Sequence, residues 1–238
     1  MTADPWRRVP SPPELVAGDI HVWRIRLDVP TGSDSSLSAD ERQRARRLRA
    51  AEKRHHFTAG RTALRSLLGA YTGCDPRALQ FDYGPHGKPF LPGAPLQFNF
   101  SNSGNLALLA VCNDREVGVD IEARDRTIRV ESLAAHILTA EETGAFRQRP
   151  ASDHHAALLA AWTRKEAYVK ALGAGFSLPL KSFSVAVPAD DAPARLPMQG
   201  GTETPHPWQF VPLAPHPDYL ASLAAAGSDW THHCFDWQ

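Results

Sequence analysis

Two pairs of charged side chains in this chain have a spacing that chemistry can use. On a run from about His154 to Leu172, Glu166 and Lys170 stand four residues apart, on the edge of an apolar stripe formed by Leu158, Ala161, Trp162, Val169 and Leu172. The three- and four-residue recurrence predicts a half-buried helix, and Gly173 a stop just past its end. Lys165 falls inside the stripe, where a long cation is unwelcome unless it snorkels or meets an anion. Upstream, Val117, Val119 and Ile121 alternate with Gly118, Asp120 and Glu122, the pattern of a strand with both carboxylates on one face. Neither pair decides anything alone. A Glu–Lys pair is commonly a surface pair, and an acidic strand face is commonly the wet side of a sheet. Two carboxylates so close repel unless a cation lies between them. Oxygen ligands without Cys or clustered His select magnesium, manganese or calcium over zinc, and Glu166 can complete such a set from the helix. Magnesium held this way works on substrate phosphates.

These residues need a scaffold, and composition bounds it. At 238 residues, 42% hydrophobic and 22% charged, the chain suits one large domain or two small ones. It has no apolar run of about 18 residues, so no membrane span is expected. The Pro- and Arg-rich start lacks the apolar stretch of a secretory signal. Cys74, Cys112 and Cys234 are scattered, which suits a reducing compartment, so a cytoplasmic protein is expected. Net charge is zero, yet residues 1–112 hold 15 Lys/Arg against 10 Asp/Glu and residues 113–238 hold 11 against 16. Nine of the cations lie between Arg42 and Arg65, opposed there only by Glu52. That run is either a solvated helix face or a surface for phosphates or an acidic partner. Nucleic acid is not expected, because the total is balanced and no aromatics interleave with the cations.

The elements follow in order. Ile20 to Leu27 reads as a strand, and Ser38-Ala39-Asp40-Glu41 as a capping box opening a helix. A second helical run carries Phe57, Leu64, Leu67 and Leu68 to Gly73. Strands are expected at Leu96–Phe100 and Leu106–Cys112, around a turn over Ser101 to Asn105, and then at Glu116–Ile121. The second half repeats the first: Thr139-Ala140-Glu141-Glu142 is a capping box 101 residues after Ser38, and at the same offset Ala59 meets Ala160 and Thr62 meets Thr163. Strands near Gln209–Leu213 and Tyr219–Ala226 close the pattern. The expectation is two similar α/β subdomains, 1–112 and 113–238, with Pro188 to Pro207 as an irregular excursion. The adjacent pairs His55-His56, His154-His155 and His232-His233 read as surface positions.

Together these pieces resemble the Sfp-type 4′-phosphopantetheinyl transferases. The resemblance rests on Gly87-Lys88-Pro89, Phe98-Asn99-Phe100-Ser101-Asn102-Ser103-Gly104, Gly118-Val119-Asp120-Ile121-Glu122, and Trp162-Thr163-x-Lys165-Glu166-x-x-x-Lys170 running into Gly175-Phe176-Ser177-Leu178-Pro179-Leu180. It implies an α+β fold of two similar halves related by a pseudo-two-fold axis, with coenzyme A in the cleft between them. It implies transfer of the phosphopantetheine arm of coenzyme A to a serine of an apo acyl or peptidyl carrier protein, with release of adenosine 3′,5′-bisphosphate. Asp120, Glu122 and Glu166 would hold magnesium, or manganese in its place. Glu166 would act as general base and Lys170 would stabilise the leaving phosphate, with Asp120 completing the catalytic set. Lys88, Ser101 and Arg44 match positions at the nucleotide phosphates, Arg54 and Arg61 join them from the basic run, and Asn102 is placed with them as a departure from the family pattern. Where the family usually shows Ser-His-Ser, this chain has Ser101-Asn102-Ser103, which replaces a potential cation with a neutral amide. A non-catalytic coenzyme A or carrier-binding homologue, and a magnesium-dependent phosphohydrolase, are the alternatives. A duplicated chain can build its cleft alone, so a monomer is expected.

Overall fold

The computed structural model describes residues 5–29, 36–185, 196–197, 199–200 and 207–237. The first half forms β1 (Arg7–Arg8), β2 (Asp19–Arg26), α1 (Ala39–Arg47), α2 (Ala51–Thr72), β3 (Asp82–Tyr83), β4 (Pro89–Phe90), β5 (Gln97–Ser103) and β6 (Leu106–Cys112). The second half forms β7 (Val117–Ala123), α3 (Val130–Ile137), α4 (Ala140–Arg147), α5 (His154–Leu172), β8 (Phe183–Ser184), β9 (Leu196–Pro197), β10 (Gln199–Gly200), β11 (Trp208–Leu213), β12 (Tyr219–Ala226) and β13 (Thr231–Trp237).

Both capping boxes form as the spacing predicts. Ser38 accepts from the Glu41 N–H while Glu41 reaches back to the Ser38 N–H, and Thr139 and Glu142 do the same. The helices α2 and α5 each stop at a left-handed glycine, Gly73 at φ 67° and Gly173 at φ 63°. One boundary differs from expectation. Strand β5 runs on through Ser101-Asn102-Ser103, and the turn is confined to Gly104-Asn105. The hydroxyls of Ser101 and Ser103 find partners on β7, so the polar run does not break the strand.

The larger sheet has the order β1-β13-β2-β6-β5 and the smaller β7-β12-β11-β9. One apolar core joins their inner faces: Ile20 and Val22 of β2, Leu108 and Ala110 of β6, Val119 and Ile121 of β7, and Leu223 of β12. Helix α2 covers the first sheet with Leu64, Leu67 and Leu68 against Trp23, Ile25 and Phe98. Helix α5 covers the second with Ala167, Tyr168 and Ala171 against Phe183, Trp208 and Phe210. It is more than the half-buried helix expected, because Ile137 and Phe146 from α3 and α4 pack on Leu158 and Ala161 at its other side. The chain thus has a mixed α+β fold. Near its end it crosses back: β13 pairs in parallel with β2, so residues 231–237 belong to the first sheet. Among the described residues no helix is long and apolar enough to cross a membrane. Apart from β9 and β10, the excursion expected at Pro188–Pro207 lies almost wholly outside the described residues.

Each half buries one cation against its capping-box glutamate. Arg65 donates to Glu41 at 2.6 Å and to the carbonyls of Pro76 and Leu79 at 2.8 and 3.0 Å. Lys165, fully buried, pairs with Glu142 at 2.9 Å and donates to the carbonyls of Leu180 and Phe183 at 2.7 Å each. This anion explains the lysine in the apolar stripe. Burial pushes its pKa down, and Glu142 opposes the shift.

Candidate active site

Strands β5 and β7, each at the edge of its sheet, meet through side chains. Asn99, Ser101 and Ser103 alternate along β5 and face β7. The Asn99 Oδ1 accepts the Val119 N–H at 2.8 Å, and Ser101 Oγ donates to Asp120 Oδ1 at 2.9 Å. Ser103 Oγ donates to Glu122 Oε2 at 3.1 Å and accepts the Ala123 N–H at 3.0 Å. The carboxylates of β7 are therefore held by the neighbouring sheet instead of facing solvent.

Helix α5 brings its own pair to this seam. It lies so close to β7 that a Cβ at Gly118 would fall 2.0 Å from the Ala167 carbonyl oxygen. Lys170 Nζ donates to Asp120 Oδ1 at 2.5 Å and to Ser101 Oγ at 2.8 Å. Trp162, one turn before Glu166, donates its indole N–H to Glu122 Oε1 at 3.2 Å. Arg126, in the turn after β7, makes an ion pair with the same Oε1 and sets its guanidinium 5.6 Å from the Trp162 ring centre.

Asp120 is 3% exposed, and burial raises its pKa against the pull of Lys170. Burial also raises Glu122 and Glu166, and the charge of Asp120 adds to both shifts. Asp120 Oδ2 is buried and, among the described residues, has no hydrogen-bond partner. Among the described residues, two cations, Lys170 and Arg126, act on these three carboxylates, which leaves the site short of positive charge. Yet among the described residues no group of three His, Cys, Asp or Glu side chains is placed to hold an ion together. The carboxylates are neighbours, with Lys170 and Arg126 holding Asp120 and Glu122.

Beside this cluster lies a cavity of about 440 Å³, lined by Glu166, Lys170, Trp162, Asn99 and Phe100, with Lys88 and His86 across from them. Two larger hollows of about 860 Å³ each are lined by none of the expected site residues. Chemistry, not volume, selects the smaller one.

The residues expected at the nucleotide phosphates lie in different settings. Ser101 is buried in the cluster, whereas Asn102 is exposed on the opposite face of β5, the face of Phe98 and Phe100. Lys88 donates to the Ala171 carbonyl at 2.6 Å and to that of Val117 at 3.3 Å, and burial lowers its pKa to about 8. Arg44 is exposed and stacks 5.3 Å from the Phe57 ring centre, and Arg54, also exposed, donates to the Leu48 carbonyl at 3.3 Å. Arg61 donates to Glu41 at 2.6 Å beside Arg65. The structure therefore gathers Asp120, Glu122, Glu166, Lys170 and Ser101, and leaves Arg44, Arg54 and Arg61 on the α1–α2 side. Sequence reasoning missed the bridging roles of Asn99 and Ser103, which their two-residue spacing could have revealed, and it missed Arg126, for which no pattern pointed the way.

The model of the 4′-phosphopantetheinyl transferase superfamily matches residues 116–224, which contain the acidic strand and α5. The chain is 38% identical over 232 residues to the 4′-phosphopantetheinyl transferase HetI of Nostoc sp., covering 93% of this chain and 94% of that one. It is 28% identical to the 4′-phosphopantetheinyl transferase Sfp of Bacillus subtilis over 71% of this chain and 77% of Sfp. With the 4′-phosphopantetheinyl transferase AcpT of Salmonella typhimurium it shares 34% identity over 60% of this chain and 72% of AcpT. The chain belongs to the 4′-phosphopantetheinyl transferase superfamily and is an enzyme of that class.

Proposed function

We propose that the seam of β5, β7 and α5 is where this enzyme moves the 4′-phosphopantetheine arm of coenzyme A onto a serine hydroxyl of an apo acyl or peptidyl carrier protein. The observation that carries the reading is the meeting of Asp120 from one strand with Glu166 and Lys170 from one helix beside a cavity. The serine oxygen attacks the pyrophosphate phosphorus that bears the pantetheine arm. A new phosphorus–oxygen bond forms, the bond to adenosine 3′,5′-bisphosphate breaks, and the serine proton must leave. Glu166 is the group to take it. No hydrogen bond among the described residues engages its carboxylate, and its raised pKa makes it a better base than an ordinary exposed glutamate. Lys170 has three N–H donors, of which Asp120 and Ser101 take two; the third serves the charge building on the leaving phosphate.

The donor chemistry fits a hard divalent ion: oxygen atoms only, a buried unpartnered Oδ2 on Asp120, and a charge on Asp120 that raises the pKa of both Glu122 and Glu166. Asp120, Glu122 and Glu166 would hold magnesium or manganese. Such an ion, when bound, neutralises charge on the pyrophosphate. Arg44, Arg54, Ser101 and Asn102 are assigned to the coenzyme. Lys88, which lines the cavity, and Arg61 are assigned to it as well.

The finer architecture belongs to the same reading. The repeated capping box, with a buried cation on its glutamate and on two backbone carbonyls in each half, supports two subdomains related by a pseudo-two-fold axis. One comprises residues up to 112 together with 231–237, and the other residues 113–226. A monomer acting in the cytoplasm is proposed with it. The test is the intact mass of an apo carrier protein incubated with enzyme, coenzyme A and magnesium. Addition of one phosphopantetheine group is expected, and its loss with Asp120→Asn. An unmodified carrier, with coenzyme A either merely bound or hydrolysed, would reject the reading.

A further inference from the structure

The site is already counter-charged from within, and its two internal cations are not alike. Lys170 sits on α5, with its ammonium between Asp120 and Ser101. Arg126 reaches Glu122 from the turn after β7, and its side chain is 43% exposed against 12% for Glu122. The arginine stays open to solvent on one side, and its guanidinium rests on the face of Trp162. A guanidinium on such a stem can leave its carboxylate without disturbing the fold.

We propose that Arg126 is a stand-in cation that occupies Glu122 in the free enzyme, is displaced by the divalent ion, and thereby sets how tightly that ion binds. The inference rests on the metal reading given above. The three partners of Glu122 carry it. Its Oε1 is shared by Arg126 and the Trp162 indole N–H, and its Oε2 is held by Ser103, so the carboxylate keeps two partners when the more exposed third, Arg126, departs. The ion would meet a carboxylate already oriented, since Trp162 and Ser103 remain when the arginine leaves. It must also overcome the arginine's positive charge, first as a competitor for Oε1 and then as a like charge nearby. This explains why the carboxylates are neighbours without converging on one point. After displacement the guanidinium still has the indole face to rest on.

The prediction runs against intuition for a charged residue beside an active site, because removing it should improve binding of the ion. A half-exposed ion pair is worth little, so the gain in affinity should be on the order of fivefold for Arg126→Gln. Arg126→Lys retains the charge and should stay close to wild type. The test titrates the whole enzyme with Mn²⁺ and follows free ion by electron paramagnetic resonance, with no substrate and no activity measured. A change in tryptophan emission during a parallel Mg²⁺ titration, absent in Trp162→Phe, would add support. Thermal unfolding of each variant confirms that it is folded. Tighter binding in Arg126→Gln with Arg126→Lys near wild type supports the proposal. Equal affinity in all three proteins, or weaker binding in Arg126→Gln, overturns it and leaves the metal reading intact. No binding by wild type or by either variant overturns the metal reading itself, and the role of Arg126 with it.

Discussion

Lys165 and Lys170 sit five residues apart on one helix and do different work. Lys165 is enclosed, with Glu142 and two carbonyls as partners, whereas Lys170 lines the cavity and pairs with Asp120. Sequence alone sees two lysines beside an acid; what separates them is the angle each takes around the helix and what lies there. Lys165→Met should therefore strand a buried carboxylate and cost about 3–5 kcal/mol, read as a lower urea midpoint. The double variant Lys165→Met with Glu142→Gln should lose less than the two single losses combined. If Lys165→Met unfolded like wild type while transfer was lost, the lysine would belong to the reaction and not to the scaffold. Of the residues that sequence placed in the site, Asp120, Glu122, Glu166 and Lys170 were legible because a strand and a helix fix which positions share a face. Arg61 was not, because Glu41, its partner, lies 20 residues away on another helix and no period links them.

At the scale of elements, the site depends on how near α5 comes to β7. Gly118 sets that distance, since a methyl there would meet both the Ala167 carbonyl and the Ala171 backbone nitrogen, at 2.0 and 2.5 Å. Neither is a side chain that can rotate away. Gly118→Ala should force the helix outward at a cost of about 1–3 kcal/mol. Because Asp120 rides on the strand and Glu166 and Lys170 on the helix, kcat should fall more than 10-fold, as small misplacements of reacting groups do. Measured kcat and unfolding midpoint check this together, and a variant unchanged in both would show that the contact does not position the site. The starts of α1 and α4 and the ends of the long helices α2 and α5 were legible in the sequence because each is stated locally, in a Ser/Thr-x-x-Glu box or a terminal glycine. Helix α3 was not: it is eight residues long and its N-cap, Arg129, makes no side-chain cap. Strand β13 was hidden too, since Thr231-His232-His233-Cys234 lacks aliphatic alternation and its partner β2 is some 200 residues away in sequence.

At the scale of the whole molecule, β13 ties the end of the second half to the first sheet and brings His233 beside His21. His21 is 2% exposed, and its Nδ1 lies 2.7 Å from the Tyr71 hydroxyl, which also accepts the Trp23 indole N–H at 2.8 Å. The tyrosine proton is then left for Nδ1, which can accept it only in a neutral ring. Burial, and then the charge of His233, lowers the His21 pKa from 6.5 to about 4. The unfolded chain thus takes up a proton at a pH where the folded one does not. Stability should fall as pH drops from about 6.5 toward 4, by no more than ~3 kcal/mol from this group, and level off below. Urea midpoints across that range should flatten in His21→Phe; an equally steep profile would assign the loss elsewhere.

The basic run from Arg42 to Arg65 also resolves at this scale. Arg61 and Arg65 turn inward to Glu41, so part of the excess charge is structural. Arg46, Arg49 and Lys53 remain exposed on α1, at the start of α2 and in the link between them, facing solvent and free to meet another molecule. A phosphate ligand needs only a few converging cations, whereas an acidic protein surface can use a spread of them. Reversing two of these charges, Arg46→Glu with Lys53→Glu, should therefore raise KM for an acidic carrier protein several-fold and leave KM for coenzyme A nearly unchanged. Complementary charge of this kind acts mostly on association, and salt screens it over a Debye length of about 8 Å at physiological ionic strength. The difference between variant and wild type should then shrink as salt is raised. Equal losses for both substrates would place these cations at the coenzyme, and unchanged constants for both would make this part of the run a solvated helix face.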